Sequence, residues 1–182
     1  MRAIPLGVIL LAASLPASAQ KFGTAENLAP YIPTPQPVVE RMLEAGRVKP
    51  GNMVYDLGSG DGRVVITAAQ KYGARAVGVE ILPDLCQKAV EKIKALGLED
   101  RVKMIEDSAL RVDLSPADVV TMYLLTNSNE RLKPNLEKYL KPGARVVSNA
   151  FPIKGWKTSE TVHVKIGTMD HVIYVYEMGQ QH

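Results

Sequence analysis

Apolar positions along this chain change their period several times, and each change marks an element. Val38, Val39, Met42 and Leu43 recur at helical spacing after Pro37 and stop before Gly46. Met53 to Leu57 is a β-prone run, after which Val64, Val65, Ile66, Ala68 and Ala69 return to helical spacing and end near Tyr72-Gly73. Ala76 to Val79 is a second β-prone run, closed by Glu80. A helix is predicted from Pro83 to Leu96, with proline at its start and Gly97 past its end. Arg101 to Ile105 alternates as a third strand. Ala117 to Leu124 is read as one largely apolar run, broken only by Asp118 and Thr121, as expected of a strand covered on both faces of a parallel sheet. Helical spacing returns from about Asn129 to Leu140, with Pro134 interrupting or starting it, and Ala144 to Ser148 reads as a fifth strand.

The carboxy-terminal rhythm differs. Thr161 to Ile166 and His171 to Tyr176 alternate as two strands, with Gly167-Thr168-Met169-Asp170 between them as a hairpin connection. Five strand-helix alternations closed by an antiparallel pair predict an α/β fold: a Rossmann-like, doubly wound, seven-stranded and mostly parallel sheet. Pro30, Pro33, Pro35 and Pro37 keep the segment before the first helix extended, because a residue preceding proline is pushed out of the helical region.

The most specific chemistry lies in Val54-Tyr55-Asp56-Leu57-Gly58-Ser59-Gly60-Asp61-Gly62-Arg63. A strand carrying an acid near its end breaks into three alternating glycines, and a helix follows at once. Glycine lets such a turn take positive φ and lets a ligand lie against bare backbone. Glu80, ending the next strand, is placed to accept both hydroxyls of a ribose. A dinucleotide site would space its glycines G-x-G-x-x-G beneath a pyrophosphate. Here the spacing is G-x-G-x-G with Asp56 and Asp61 beside it, which repels a pyrophosphate and suits the ammonium and sulfonium of S-adenosylmethionine.

Composition narrows the picture. The net charge of +3 is too mild to imply nucleic acid or an anionic membrane as partner, and no basic stripe interleaved with aromatics appears. Cys86 is the single cysteine, so an intramolecular disulfide and a cysteine-built metal site are both excluded; it falls on an apolar helix face as core filler, and no metal is expected. Arg2, the mostly apolar stretch from Ile4 to Leu15 and Ala17-Ser18-Ala19 read as a secretory signal peptide over residues 1–19, too short for stable membrane insertion. The expected order is then signal peptide, a proline-rich arm over residues 20–37, and one domain over residues 38–182. An exported location follows, cytoplasmic if the signal is not used. His163 and His171 fall in the hairpin, where surface roles are expected, and Trp156 is read as packing the hairpin or gating a channel.

The turn and sheet plan resemble the class I, seven-strand methyltransferases. Tyr31-Ile32-Pro33-Thr34-Pro35, the run from Val119 to Asn127, the pair Leu132-Lys133-Pro134 and Lys141-Pro142-Gly143, and Lys154-Gly155-Trp156 resemble more narrowly the archaeal broad-specificity protein lysine methyltransferases and their bacterial relatives. That resemblance implies that Asp56, Gly58 and Gly60 line the methionine end of the cofactor, that Glu80 takes the ribose, and that Asp107 with Ser108 faces the adenine. It further implies that Tyr31 and Thr34 fold over the cofactor as a lid. Tyr123, Leu124, Thr126 and Asn127 would border the methyl-transfer channel, with Tyr123 and Asn127 handling the amine. Asn149-Ala150 departs from the resemblance, standing where those relatives tend to carry histidine and an acid. The expected substrate is a protein presenting lysine; a small-molecule methyltransferase and an exported, non-catalytic cofactor-binding protein are the other two readings.

Overall fold

The computed structural model describes residues 26–182, so the expected signal peptide lies outside the described residues. Among these described residues four helices and seven strands follow one another as α1 Gln36–Ala45, β1 Met53–Leu57, α2 Arg63–Tyr72, β2 Arg75–Glu80, α3 Pro83–Ala95, β3 Val102–Glu106, β4 Val119–Met122, α4 Thr126–Tyr139, β5 Arg145–Asn149, β6 Glu160–Ile166 and β7 Met169–Glu177. The strands form one sheet in the order β3-β2-β1-β4-β5-β7-β6. Neighbours from β3 to β5 are parallel, and β7 runs antiparallel to both β5 and β6. The order reverses between β1 and β4, so the carboxyl ends of those two strands form the switch point where open α/β sheets bind ligands.

Each face of the sheet buries its own apolar layer. Val54, Val119, Val147 and Val175 meet Val38, Val39 and Leu43 of α1 and Val65, Ala68 and Ala69 of α2. On the other face Tyr55, Leu57, Val120, Met122 and Val146 meet Leu132 and Leu136 of α4 together with Leu114. No helix joins β3 to β4, which corrects the expected five alternations. Ala109, Val112, Leu114 and Ala117 of that crossing loop are buried and cover the sheet without helical backbone.

Three other boundaries move. β4 stops at Met122, because Tyr123 to Leu125 turn away to start α4 at Thr126, three residues before the expected start. Pro134 sits inside α4, not at its beginning. Ile166 pairs with Met169, so Gly167-Thr168 alone makes the hairpin turn. Gly167 takes φ +60° at the first central position, where tight hairpin turns need positive φ.

Trp156 is buried edge-on against Tyr176 at 5.5 Å and donates its indole N–H to Glu137 Oε1 of α4 at 3.0 Å, so it packs the core. His163 is exposed and bonds Asp170 across the hairpin at 2.7 Å. Cys86 is buried in α3, and burial pushes its thiol pKa up. The fully buried Tyr176 hydroxyl accepts the Ile153 N–H at 2.9 Å, tying the loop after β5 to β7. Tyr176→Phe should therefore lower unfolding free energy by about 1–3 kcal/mol, the cost of an unpaired buried N–H, read as a drop in urea midpoint at constant slope.

Candidate functional site

A cleft opens at the carboxyl ends of β1, β2 and β4, roofed by the arm before α1. Its lining brings together Tyr31, Thr34, Asp56, Gly58, Gly60, Glu80, Asp107, Tyr123 and Leu124, nine of the residues expected at the site. Ser108, Thr126 and Asn127 do not line it. Ser108 is fully buried, with its hydroxyl accepting the Leu110 N–H within its own turn. Asn127 is exposed in the first turn of α4 and Thr126 begins that helix, because the chain leaves β4 earlier than its apolar run suggests.

The glycine turn is organised by the strand beside it. Gly58 N–H and Ser59 N–H both donate to the Val79 carbonyl at 2.9 Å, and Gly60 N–H donates to Glu80 Oε2 at 2.7 Å. Gly62 N–H closes on the Ser59 carbonyl at 3.0 Å. These donors are consumed within the chain, so the turn offers no cradle of free N–H groups to a pyrophosphate. It offers bare surface: Gly58 and Gly60 have φ of +77° and +55°, and a Cβ on Gly60 would lie 2.5 Å from the Tyr31 ring.

Two buried carboxylates define the charge of the cleft. Glu80 is held at both oxygens, by Gly60 N–H and by Leu82 N–H at 2.9 Å, and each oxygen keeps a lone pair for a ribose hydroxyl. Asp56 accepts the Thr121 hydroxyl at 2.7 Å. Burial pushes its pKa up to about 6, with the Glu80 and Asp61 charges adding to the rise and the Thr121 hydrogen bond opposing it. A ligand cation beside it would favour the ionised form. Asp61, expected to face a cation, is instead paired with Arg63 at 2.8 Å and lies 3.7 Å from Lys92. Burial acts to raise its pKa, but the Arg63 hydrogen bond and charge outweigh it and hold the carboxyl below its ordinary range.

Arg63 was not foreseen from sequence. Its guanidinium binds Asp61 and also donates to the Thr34 carbonyl at 2.8 Å, tying the arm to the glycine turn. A signal was available: a cation at the first helical position opposes the helix dipole, so it needs another reason to be there. The arm is anchored at three more points. Tyr31 lies on Gly60, the Ser128 hydroxyl donates to the Leu28 carbonyl, and Arg111 bridges Glu26 and Asp107. The Arg111 hydrogen bond holds Asp107 below the usual carboxylate range. Among the described residues no three His, Cys, Asp or Glu side chains converge as a metal site requires.

The residues present fit S-adenosylmethionine: an acid pair for ribose and cation, backbone without Cβ between them, and an aromatic lid. Asp56→Asn separates binding from stability. A carboxyl whose folded pKa is raised stabilises the fold below its unfolded pKa and loses that contribution as pH rises from about 4 to 6. The Asn variant should therefore be more stable than the parent above pH 6, by up to about 3 kcal/mol, and equal to it below pH 4, while losing cofactor affinity. Thermal unfolding and calorimetry across that range check both arms. Gly60→Ala should displace Tyr31 and weaken cofactor binding by roughly tenfold or more with the fold retained, read by calorimetry beside circular dichroism.

Residues 56–160 match the ANTKMT methyltransferase domain family. The chain is 49% identical over 152 residues to a protein-lysine N-methyltransferase of Saccharolobus islandicus, covering 83% of this chain and 94% of that protein. It is 35% identical over 128 residues to the adenine nucleotide translocase lysine N-methyltransferase of Mus musculus, an alignment that covers 70% of this chain but only 56% of the mouse enzyme. A crystal structure named as an RNA methyltransferase from Salinibacter ruber, in complex with S-adenosyl-L-homocysteine, superposes with a TM-score of 0.77 at 43% identity, over 82% of this chain and 95% of that one. With the sheet order, the acid pair and the glycine turn described above, these matches make the chain a member of the ANTKMT methyltransferase domain family and a class I, S-adenosylmethionine-dependent methyltransferase related to the protein-lysine N-methyltransferases.

Proposed function

We propose that this protein transfers methyl groups to lysine side chains presented on the surface of other proteins. The observation that carries this reading is the charge of the cleft: of its lining acids Glu26 and Asp107 are paired with Arg111 and Asp61 with Arg63, which leaves Asp56 and Glu80 as buried carboxylates with no cationic side chain among the described residues beside them. Such a mouth attracts an ammonium and repels a phosphate backbone. Kinship with the Saccharolobus protein-lysine methyltransferase supports the same substrate class.

When bound, S-adenosylmethionine supplies a methyl carbon already activated by the sulfonium. The protein's task is then to bring the amine into line with that carbon, unprotonated and free of water. Asp56 and Glu80 would hold the cofactor's cationic and ribose ends, and Tyr31 and Thr34 close over them. The half-buried Tyr123, leaving β4 at the cleft, would meet the methylene stem of the lysine, and its ring face favours the ammonium. Transfer into this partly desolvated space lowers the amine's pKa, so that a proton is shed to solvent before attack. Asn127 is exposed on α4 and is not among the residues that line the cleft, so this reading gives the amine-handling role to Tyr123.

The amino-terminal pattern of Arg2, an apolar stretch and Ala17-Ser18-Ala19 supports work outside the cytoplasm, which cell fractionation with an antibody to the chain would test. The substrate class is tested by incubating the protein with isotopically labelled cofactor and, separately, a protein extract, total RNA and a small-molecule extract. Label is expected on lysine, located by peptide mass spectrometry. Label confined to RNA or to small molecules would overturn the reading.

A further inference from the structure

Among the described residues two non-glycine residues have positive φ, Arg47 at +54° and Ala150 at +63°. Arg47 follows the end of α1, where the left-handed conformation is a common way to terminate a helix. Ala150 has no such reason. The Phe151 N–H bonds back to the Asn149 carbonyl at 2.8 Å, closing a three-residue turn around Ala150 of the strained, rarely used hand. Such a turn survives only where its surroundings over-determine it, and strain of this kind gathers at functional sites.

The surroundings do over-determine it. Ala150 N–H donates to the Val172 carbonyl of β7 at 2.7 Å. The Phe151 carbonyl accepts two hydrogen bonds, from the Ser148 hydroxyl at 2.6 Å and from Asn129 Nδ2 at 2.9 Å. Asn129 is fully buried on α4, with its other amide atom unpaired. What these bonds achieve is the direction of one ring. Phe151 stacks against Tyr123 with centroids 6.2 Å apart and planes inclined by 25°, within the range of a stabilising aromatic pair. Tyr123 lines the cleft and Phe151 does not. A tyrosine with an unsupported ring turns broadly about its second side-chain torsion, whereas one backed by a second ring presents a single face. Phe151 is itself only half-buried, so the turn does not serve to fill the core.

We infer that Phe151 is a positioning residue for methyl transfer: through its stack it holds the Tyr123 ring at the angle that receives the target side chain, and Asn129 holds Phe151. This rests on the lysine reading above. It assigns a working purpose to the loop after β5, whose Asn149-Ala150 departs from the family resemblance.

The test uses the full chain, a lysine-containing substrate identified by the labelling experiment, and the variants Phe151→Leu, Phe151→Tyr and Asn129→Ala. Leucine keeps the apolar bulk and removes the ring. Phe151→Leu should lower kcat/KM by roughly tenfold, mainly in kcat, with cofactor Kd and melting temperature nearly unchanged. Phe151→Tyr should restore most of the activity. Asn129→Ala should also lower kcat, and should add little in the Phe151→Leu background, because both act on one ring. Should Asn129→Ala fail to fold, the leucine and tyrosine variants decide alone. Parental kinetics in Phe151→Leu, or no rescue by tyrosine, would overturn this inference and leave the lysine reading intact. No lysine methylation by the parent protein would overturn both.

Discussion

Two carboxylates buried side by side at one sheet edge constrain everything built around them. Asp56 and Glu80 end adjacent parallel strands on the same face, and register alone places them there: Asp56 lies opposite Gly78, two residues before Glu80. Burying like charges together is costly, and the chain offsets part of the cost with fixed dipoles. Two backbone N–H groups reach Glu80 and the Thr121 hydroxyl reaches Asp56. The glycine turn takes its shape because it must deliver the Gly60 N–H to Glu80 while leaving no side chain above the acids. What remains uncompensated is the charge on Asp56, seen in its raised pKa, and a cationic ligand removes that penalty.

The roof of the cleft follows from this arrangement. An arm dense in proline cannot form the ladder or helix bonds that would hold it in place, so it is pinned from outside by Arg63, Gly60, Ser128 and Arg111. Two of these anchors, Arg63 and Gly60, belong to the glycine turn, which therefore shapes both the floor and the lid. On the far side of the cleft, α4 holds the loop after β5 through Asn129, Glu130, Lys133 and Glu137, and it is there that Phe151 comes to stack against Tyr123.

The boundary errors share a cause. Ala117 to Leu124 is apolar except for Asp118 and Thr121, yet only Val119 to Met122 is strand, since a residue can be apolar because it lines a cleft or caps a turn. The crossing from β3 to β4 buries Val112 and Leu114 without a helix, and periodicity has nothing to report about irregular backbone packed on a sheet. Pro134 reads as interrupting or starting the helix, but it lies inside α4, where the turns before it are held by the buried Ser128, Asn129 and Leu132, and packing overrides the local penalty.

The succession of strands, the cofactor turn and the two site acids were legible in the residues, because each depends on neighbours close along the chain: alternation, glycine spacing, an acid at a strand end. Nine of the twelve expected site residues line one cleft; of these, Tyr31, Thr34, Asp107, Tyr123 and Leu124 were expected from the family resemblance and not from local pattern. Arg63 as the clasp of the lid, the diversion of Asp61 from ligand to ion pair, the retreat of Asn127 to the surface and the backing of Tyr123 by Phe151 were not legible. Each joins segments distant in sequence, Thr34 to Arg63 or Asn129 to Phe151, and such contacts exist only once the sheet has brought its strand ends together. Local pattern specifies which elements form and what chemistry they carry; which side chains face one another across the cleft is set by packing.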